Sequence, residues 1–304
     1  MAEEVRVGII GYDTSHVPNF TKLVNEKDDP FHVEGARIVA GYPSFSKDVE
    51  SSVGRVEGFK KQMEEEWRIE SVSSVTELLG KVDAVLLESV DGRRHLEEVR
   101  PVIEAGKPVF VDKPLAHDYR DAATIIGLAQ ENGCPLFSSS SLRFDVNIAG
   151  ARDTLRNEGI VGCDAFSAAS LEPTNPGLFW YGIHGVEILF SFMGTGCEKV
   201  SCLATEGVHF VTGTWADGRV GTMRGTRKGA HSYGATVFGN KTTVPVTYST
   251  EVPFYAQLLK EIVPFFSTGK PPVAPRETLE IMAFMQAALV SEREGRPVSI
   301  EEIM

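Results

Sequence analysis

Several things are scarce in this 304-residue chain, and each absence narrows what it can be. No apolar run approaches the roughly 18 residues needed to cross a bilayer, so no membrane partner is expected. The opening MAEEVRV lacks the basic start and apolar core of a secretory leader. Basic residues are outnumbered: 30 Lys and Arg against 42 Asp and Glu leave a formal net charge of −12. That balance argues against a nucleic-acid partner, because phosphate binding needs a basic face and counterion release. The four cysteines (Cys134, Cys163, Cys197 and Cys202) form no CxxC pair and no metal-ligand spacing. They read as buried or idle thiols in a reducing cytoplasm, and no metal site is assigned. There is no internal repeat and no low-complexity segment. The charged stretch FKKQMEEEWR reads as the solvated face of a helix.

What remains is ordinary globular composition, 42% hydrophobic and 24% charged, in a length that suits one large domain or two. In the first half, short β-branched runs alternate with amphipathic stretches, the rhythm of βαβ units. VRVGII and ARIVAGY predict strands one and two. A helix is expected over 58–67, a short strand near IESV and a helix at TELLG. DAVLLESV reads as a fully buried strand, followed by a helix over 94–105 in which Pro101 should make a kink or begin a new turn. AGKPVFVDKP is the next strand, YRDAATIIGLAQENG a helix stopped at Gly133, and PLFSSSS the sixth strand. This is an α/β, doubly wound Rossmann domain over residues 1–141. The second half, 142–304, favours longer strands (CDAFSAAS, VSCLATEG, HFVTGTWADGRVGTMRGT, ATVFGNKTTVPVTY) with a hairpin signal at ADGR. With helices at WYGIHGVEILFSFMG, FYAQLLKEIVPFF and RETLEIMAFMQAALVSERE, it predicts an α+β domain with a large open antiparallel or mixed sheet.

Glycine is missing where a dinucleotide fold would most use it. The first strand runs into GIIGYDTSH, where G-x-G-x-x-G is the usual fingerprint. Gly11 supplies the tight turn. Asp13 stands where a glycine would let a pyrophosphate approach the backbone, and His16 stands at the helix-packing glycine. Pro18 confines the helix start to about Ser15–Val17, which makes Asp13 or Ser15 the expected N-cap. An internal anion could thus take the amides that otherwise hold phosphate. Tyr12, Thr14, Ser15 and a protonated His16 complete the candidate cofactor-binding turn. The acid expected at the end of strand two is missing as well. Ser44, Ser46 and Lys47 follow there, a set that would receive a 2′-phosphate and so leans towards NADP over NAD.

DAVLLESVDGRRHLEEVRPVIEAGKPVFVDKPLA resembles the Gfo/Idh/MocA oxidoreductase family, with Asp112-Lys113-Pro114 in place of its Glu-Lys-Pro triplet. The final PPVAPRETLEIMAFMQAALVSEREGRPVSI resembles the family's last helix and closing strand. The resemblance implies an NAD(P)-dependent dehydrogenase of a sugar, sugar acid or cyclitol. It implies that Lys113 sits by the nicotinamide and the substrate hydroxyl, and that Asp112 lies on the cofactor side. His184, in GIH, matches the histidine of the family's D-x-x-x-H helix and is the candidate proton-transfer base. The helix acid is absent, Trp180 standing in its place, so Glu187 is expected to orient the ring from the other side. Tyr181 is a second proton donor. Trp180, Arg143, Glu187 and His95 are expected on the substrate side, with a structural or cofactor-edge role for His95. His209 and His231 receive no role. Two alternatives stay open: a sugar-binding or regulatory protein that has lost redox chemistry, and a lyase or isomerase using a divalent metal held by Asp13, His16 and His184. A homo-oligomer through the C-terminal sheet is the expected assembly.

Overall fold

The structure, a computed structural model, describes residues 4–304, so part of the leader reading lies outside the described residues. The chain divides into two compact units. The first takes the chain up to Ala116, then Arg120–Ser139 and Tyr255–Pro275. The last of these segments falls in what the sequence assigns to the second domain.

The first unit begins with β1 (Val5–Ile10), α1 (His16–Asn25), β2 (Ala36–Tyr42), α2 (Glu50–Glu66), β3 (Glu70–Ser71) and α3 (Val75–Leu79). It continues with β4 (Ala84–Leu87), α4 (His95–Glu104), β5 (Val109–Asp112), α5 (Tyr119–Glu131) and β6 (Leu136–Ser139). The strands form one parallel sheet in the order β3-β2-β1-β4-β5-β6. The strand order reverses between β1 and β4, the switch point where open α/β sheets bind ligands beyond their carboxyl ends. β4, β5 and β6 are buried along their whole length, as helices on both faces require. Phe265, from the late segment, packs edge-on against Phe137 of β6 with ring centroids 4.7 Å apart.

One detail departs from expectation. α2 starts eight residues earlier than predicted; Ser52, Val56 and Met63 give it a buried face that outweighs the poor helix propensity of Gly54 and Gly58. α4 covers His95–Glu104 with Pro101 inside it.

In the second unit come α6 (Val146–Leu155), β7 (Ile160–Ala168), α7 (Ile183–Met193), β8 (Cys197–Thr205), β9 (Val208–Trp215) and β10 (Val220–Thr226). β11 (Gly234–Gly239), β12 (Thr243–Thr247), α8 (Phe254–Thr268), α9 (Pro275–Glu294) and β13 (Val298–Ser299) follow, with most of α8 belonging to the first unit. Its sheet has the order β12-β11-β7-β10-β9-β8-β13 and is mixed, because β7 and β10 pair in parallel. Burial alternates along β9 and β10, so one face is covered and the other is not. α7 approaches the covered face at Gly185, where a methyl would lie 2.7 Å from Ser167 Oγ. Trp215, Phe190 and Phe284 of α9 fill the core there. Among the described residues no helix is long and apolar enough to cross a membrane.

The first turn is packed tightly from inside. The Tyr12 ring is wholly buried over Gly41, where an added Cβ would fall 2.0 Å from the phenol oxygen. That hydroxyl has no hydrogen-bond partner among the described residues. Gly41→Ala should therefore destabilise the protein by about 1–3 kcal/mol through overpacking. Tyr12→Phe should stabilise it by about 1 kcal/mol, because it deletes an unsatisfied buried polar atom. Urea unfolding of the two variants checks both signs.

Candidate active site

At the end of β1 the chain must turn under the loop that follows β4. Gly11 has φ +89°, and a Cβ there would lie 2.4 Å from the Ser89 backbone nitrogen, so only glycine fits. The Gly11 and Tyr12 N–H groups donate to the Tyr42 and Ser44 carbonyls at 3.0 and 3.1 Å. Both turn amides are therefore engaged within the protein.

Asp13 is completely buried. Its Oδ1 accepts from the Val90 N–H at 3.0 Å, and its Oδ2 accepts from Ser52 Oγ at 2.6 Å. The internal anion anticipated from the sequence is present, but it does not cap α1. Ser15 makes no side-chain cap bond; Thr14 Oγ1 accepts from the His16 N–H at 3.3 Å instead. Ser15 does stand at the N-cap position, as expected, but without the cap bond, and Asp13 finds its partners in the β4–α4 loop and the start of α2 instead. Burial lifts the Asp13 carboxyl to about 6, against the lowering pull of Ser52 and Val90.

The Ser44 and Ser46 hydroxyls do not face outward. Ser44 Oγ lies 3.2 Å from Ser89 Oγ, and Ser46 Oγ donates to Asp91 Oδ2 at 2.7 Å. Ser89 Oγ in turn donates to Glu98 Oε2 at 2.6 Å. These serines serve internal carboxylates, which removes the support they gave to an NADP preference.

His16 is buried, its ring stacked on Phe20 at 5.2 Å and edge-on to Tyr255 at 4.7 Å. The packing aims Nδ1 at two acids, Glu88 Oε2 at 3.1 Å and Asp112 Oδ2 at 3.0 Å. Burial opposes the imidazolium, yet the Asp112 and Glu88 carboxylates raise the His16 pKa well above its ordinary value. Between the acids, burial pushes Glu88 up to about 7, while Asp112, also opposed by burial, is drawn down to about 2 by His16 and Lys113. Asp13 bonds Val90 and Ser52 instead, so it does not join His16 in the metal set read from the sequence. Glu88 was missed in the sequence; an acid closing the apolar run AVLL was its only signal.

Lys113 Nζ lies 3.9 Å from Asp112 Oδ2, on a side chain only 12% exposed. His95 is fully buried, with Nε2 2.7 Å from the Ser89 carbonyl and Nδ1 3.2 Å from that of Leu115. It ties the loop after β4 to the loop after β5.

The second unit builds a separate polar cluster around α7. Ser140 Oγ lies 2.8 Å from His184 Nδ1. The imidazole is flanked edge-on by Tyr181 at 5.8 Å and Tyr233 at 5.6 Å, both His184 and Tyr181 being half-buried. Trp180 is buried against Tyr181, with ring centroids 6.3 Å apart. Glu187 Oε2 accepts from Arg143 Nε at 2.6 Å, and the Ser140 hydroxyl stands beside the imidazole. Arg143 Nη2 also lies 2.6 Å from Glu277 Oε1, so this buried guanidinium is held by two carboxylates. A buried acid needs such a partner more than a half-buried ring does. Tyr233 carried no motif and was not anticipated; Ser140 lay unremarked in a run of four serines.

Residues 5–140 match the family model described as an oxidoreductase family with an NAD-binding Rossmann fold. That match is confined to the first, Rossmann part of the chain. The putative oxidoreductase YceM of Salmonella typhimurium is 38% identical over 80 residues, 26% of either chain. A 1,5-anhydro-D-fructose reductase of Ensifer adhaerens is 38% identical over 94 residues, 30% of this chain and 28% of that one. The match thus spans little more than a quarter of these curated relatives. A myo-inositol 2-dehydrogenase structure from Lactobacillus plantarum superposes with a TM-score of 0.80 over 98% of this chain and 99% of that one, at 16% identity, a likeness of fold. The β1–α1 turn departs from the usual dinucleotide-binding fingerprint. Its amides at Gly11 and Tyr12 are taken, and the buried Asp13 carboxylate would repel a diphosphate.

Asp13 makes this arrangement testable through pH. Its unfolded carboxyl ionises near 3.8 and its folded one near 6. Below the lower value both states hold the proton and nothing is lost. As pH rises through the window the unfolded chain releases its proton first, so stability falls until the folded carboxyl has ionised. Asp13→Asn should match the wild type at pH 3.5 and exceed it by about 1–3 kcal/mol at pH 8. Denaturant unfolding across this range checks it; a difference that does not grow with pH contradicts the assignment.

Proposed function

We propose that this protein is an oxidoreductase of the Gfo/Idh/MocA family that acts on a sugar or cyclitol, with His184 as the group that moves the substrate's hydroxyl proton. The observation that carries the reading is the Ser140–His184 pair set between Tyr181 and Tyr233. A serine oxygen on one ring nitrogen selects the tautomer and fixes the ring, as a proton-transferring imidazole requires. Aromatic faces suit the C–H faces of a carbohydrate or cyclitol ring. Lys113, which matches the lysine of the family's triplet, is the cation that stabilises the substrate oxygen as negative charge grows on it. Tyr181 is the secondary proton donor, and Trp180 shapes its surroundings. The reductase and inositol dehydrogenase among the similar proteins support the substrate class.

A second reading is favoured by Asp13: a protein that keeps sugar recognition and has given up redox chemistry. The two separate cleanly by titration calorimetry with NADH and NADPH, together with an assay for nucleotide released on denaturation. Saturable heat or released nucleotide supports the dehydrogenase and also decides between NAD and NADP; silence from both supports the second reading. We further propose a homo-oligomer through the uncovered face of the second sheet, where the cross-strand pair Leu203 and Phe210 is exposed.

Once thermal-shift screening of sugars and cyclitols has identified a turned-over substrate, Lys113→Met and His184→Gln should each lower kcat/KM by about 100-fold or more. Both variants should melt close to the wild type. Ser140→Ala should lower kcat more than it raises KM and shift the pH profile, because it loosens the ring without removing it. Full activity in the His184 variant would end its assignment as the proton-transfer group.

A further inference from the structure

Glu88, Asp112 and His16 reach the same point from three different strand ends. Glu88 follows β4, with its N–H on the Ile10 carbonyl at 2.7 Å; Asp112 closes β5; His16 opens α1 just beyond β1. One ligating atom from each lies within 4.8 Å of the other two. The Nδ1–Oε2 and Nδ1–Oδ2 separations are 3.1 and 3.0 Å. Ligand atoms at right angles on an ion with bonds of ~2.1 Å stand ~3.0 Å apart, so the two separations from Nδ1 match those of ligands on one ion as well as those of hydrogen bonds.

The remaining oxygens give an independent sign. Glu88 Oε1 and Asp112 Oδ1 are buried and have no hydrogen-bond partner among the described residues. Buried carboxylate oxygens are ordinarily satisfied, and these two belong to side chains no more than 3% exposed. A coordinated ion would satisfy them, and its double positive charge would balance two carboxylates beside a neutral imidazole. The ring is already held for this: Phe20 and Tyr255 lock its plane, as ligating histidines are normally locked by their surroundings.

We propose that His16, Glu88 and Asp112 form a binding site for one divalent first-row transition-metal ion at the carboxyl edge of the parallel sheet. One imidazole and two carboxylates suit Mn²⁺, Fe²⁺, Co²⁺ or Zn²⁺; Ca²⁺ prefers a larger, all-oxygen shell. The site is independent of the sugar reading and of any nucleotide.

The test uses the full chain, made without a polyhistidine tag and stripped with chelator, then titrated with Co²⁺ in the visible range and with Zn²⁺ by calorimetry. One equivalent should bind, giving weak d–d bands without thiolate charge-transfer absorption. His16→Phe preserves the stacking on Phe20 and should weaken binding by about 100-fold or more. His209→Gln, which alters a histidine paired with Glu292, should bind as the wild type does. The proposal is overturned by no saturable binding up to about 1 mM, by unchanged affinity in His16→Phe, or by cobalt bands from cysteine. Should His16→Phe fail to fold, the wild-type stoichiometry and cobalt spectrum decide.

Discussion

Taking a carboxylate out of water costs several kcal/mol unless fixed donors or opposite charges replace its hydration. The carboxyl edge of the parallel sheet does this repeatedly, with Asp13, Glu88, Asp91, Glu98 and Asp112 all buried along it. The local conformation follows from their demands. Asp13 pulls the Val90 amide and the Ser52 hydroxyl together. Asp91 is held by Ser46 and Arg93, and Glu98 by Ser89 and Arg94. Glu88 and Asp112 converge on His16. Gly11 must be glycine because the loop carrying Ser89 and Val90 comes this close.

At the β1–α1 turn the buried anion is Asp13, held by the Val90 amide and the Ser52 hydroxyl and not by the amides of α1. The second unit is under no comparable constraint. It gathers Ser140, His184, Tyr181 and Tyr233 into a half-open polar and aromatic cluster while Arg143, Glu187 and Glu277 neutralise one another in the interior.

Where periodicity and burial agreed, the sequence could be read directly. The six parallel strands, the helix stop at Gly133 and the hairpin at ADGR are short-range features, set by side chains within a few residues of one another. The start of α2 was not legible, because Gly54 and Gly58 argue locally against a helix that burial of Ser52, Val56 and Met63 makes favourable. The parallel β7–β10 pairing that makes the second sheet mixed joins strands separated by some fifty residues, beyond any local signal.

By itself, the sequence determined which residue types were available at the critical places: a carboxylate where glycine is usual, an imidazole at the start of α1, a lysine at the end of β5, a histidine on the helix after β7. Side-chain chemistry and chain-local propensity are enough for that. Only the tertiary structure decided their partners: Asp13 with Val90 rather than the helix amides, Glu187 with Arg143, Glu88 with His16. Those choices are competitions among groups distant in sequence, and burial settles them by favouring whichever donor most fully replaces the lost water.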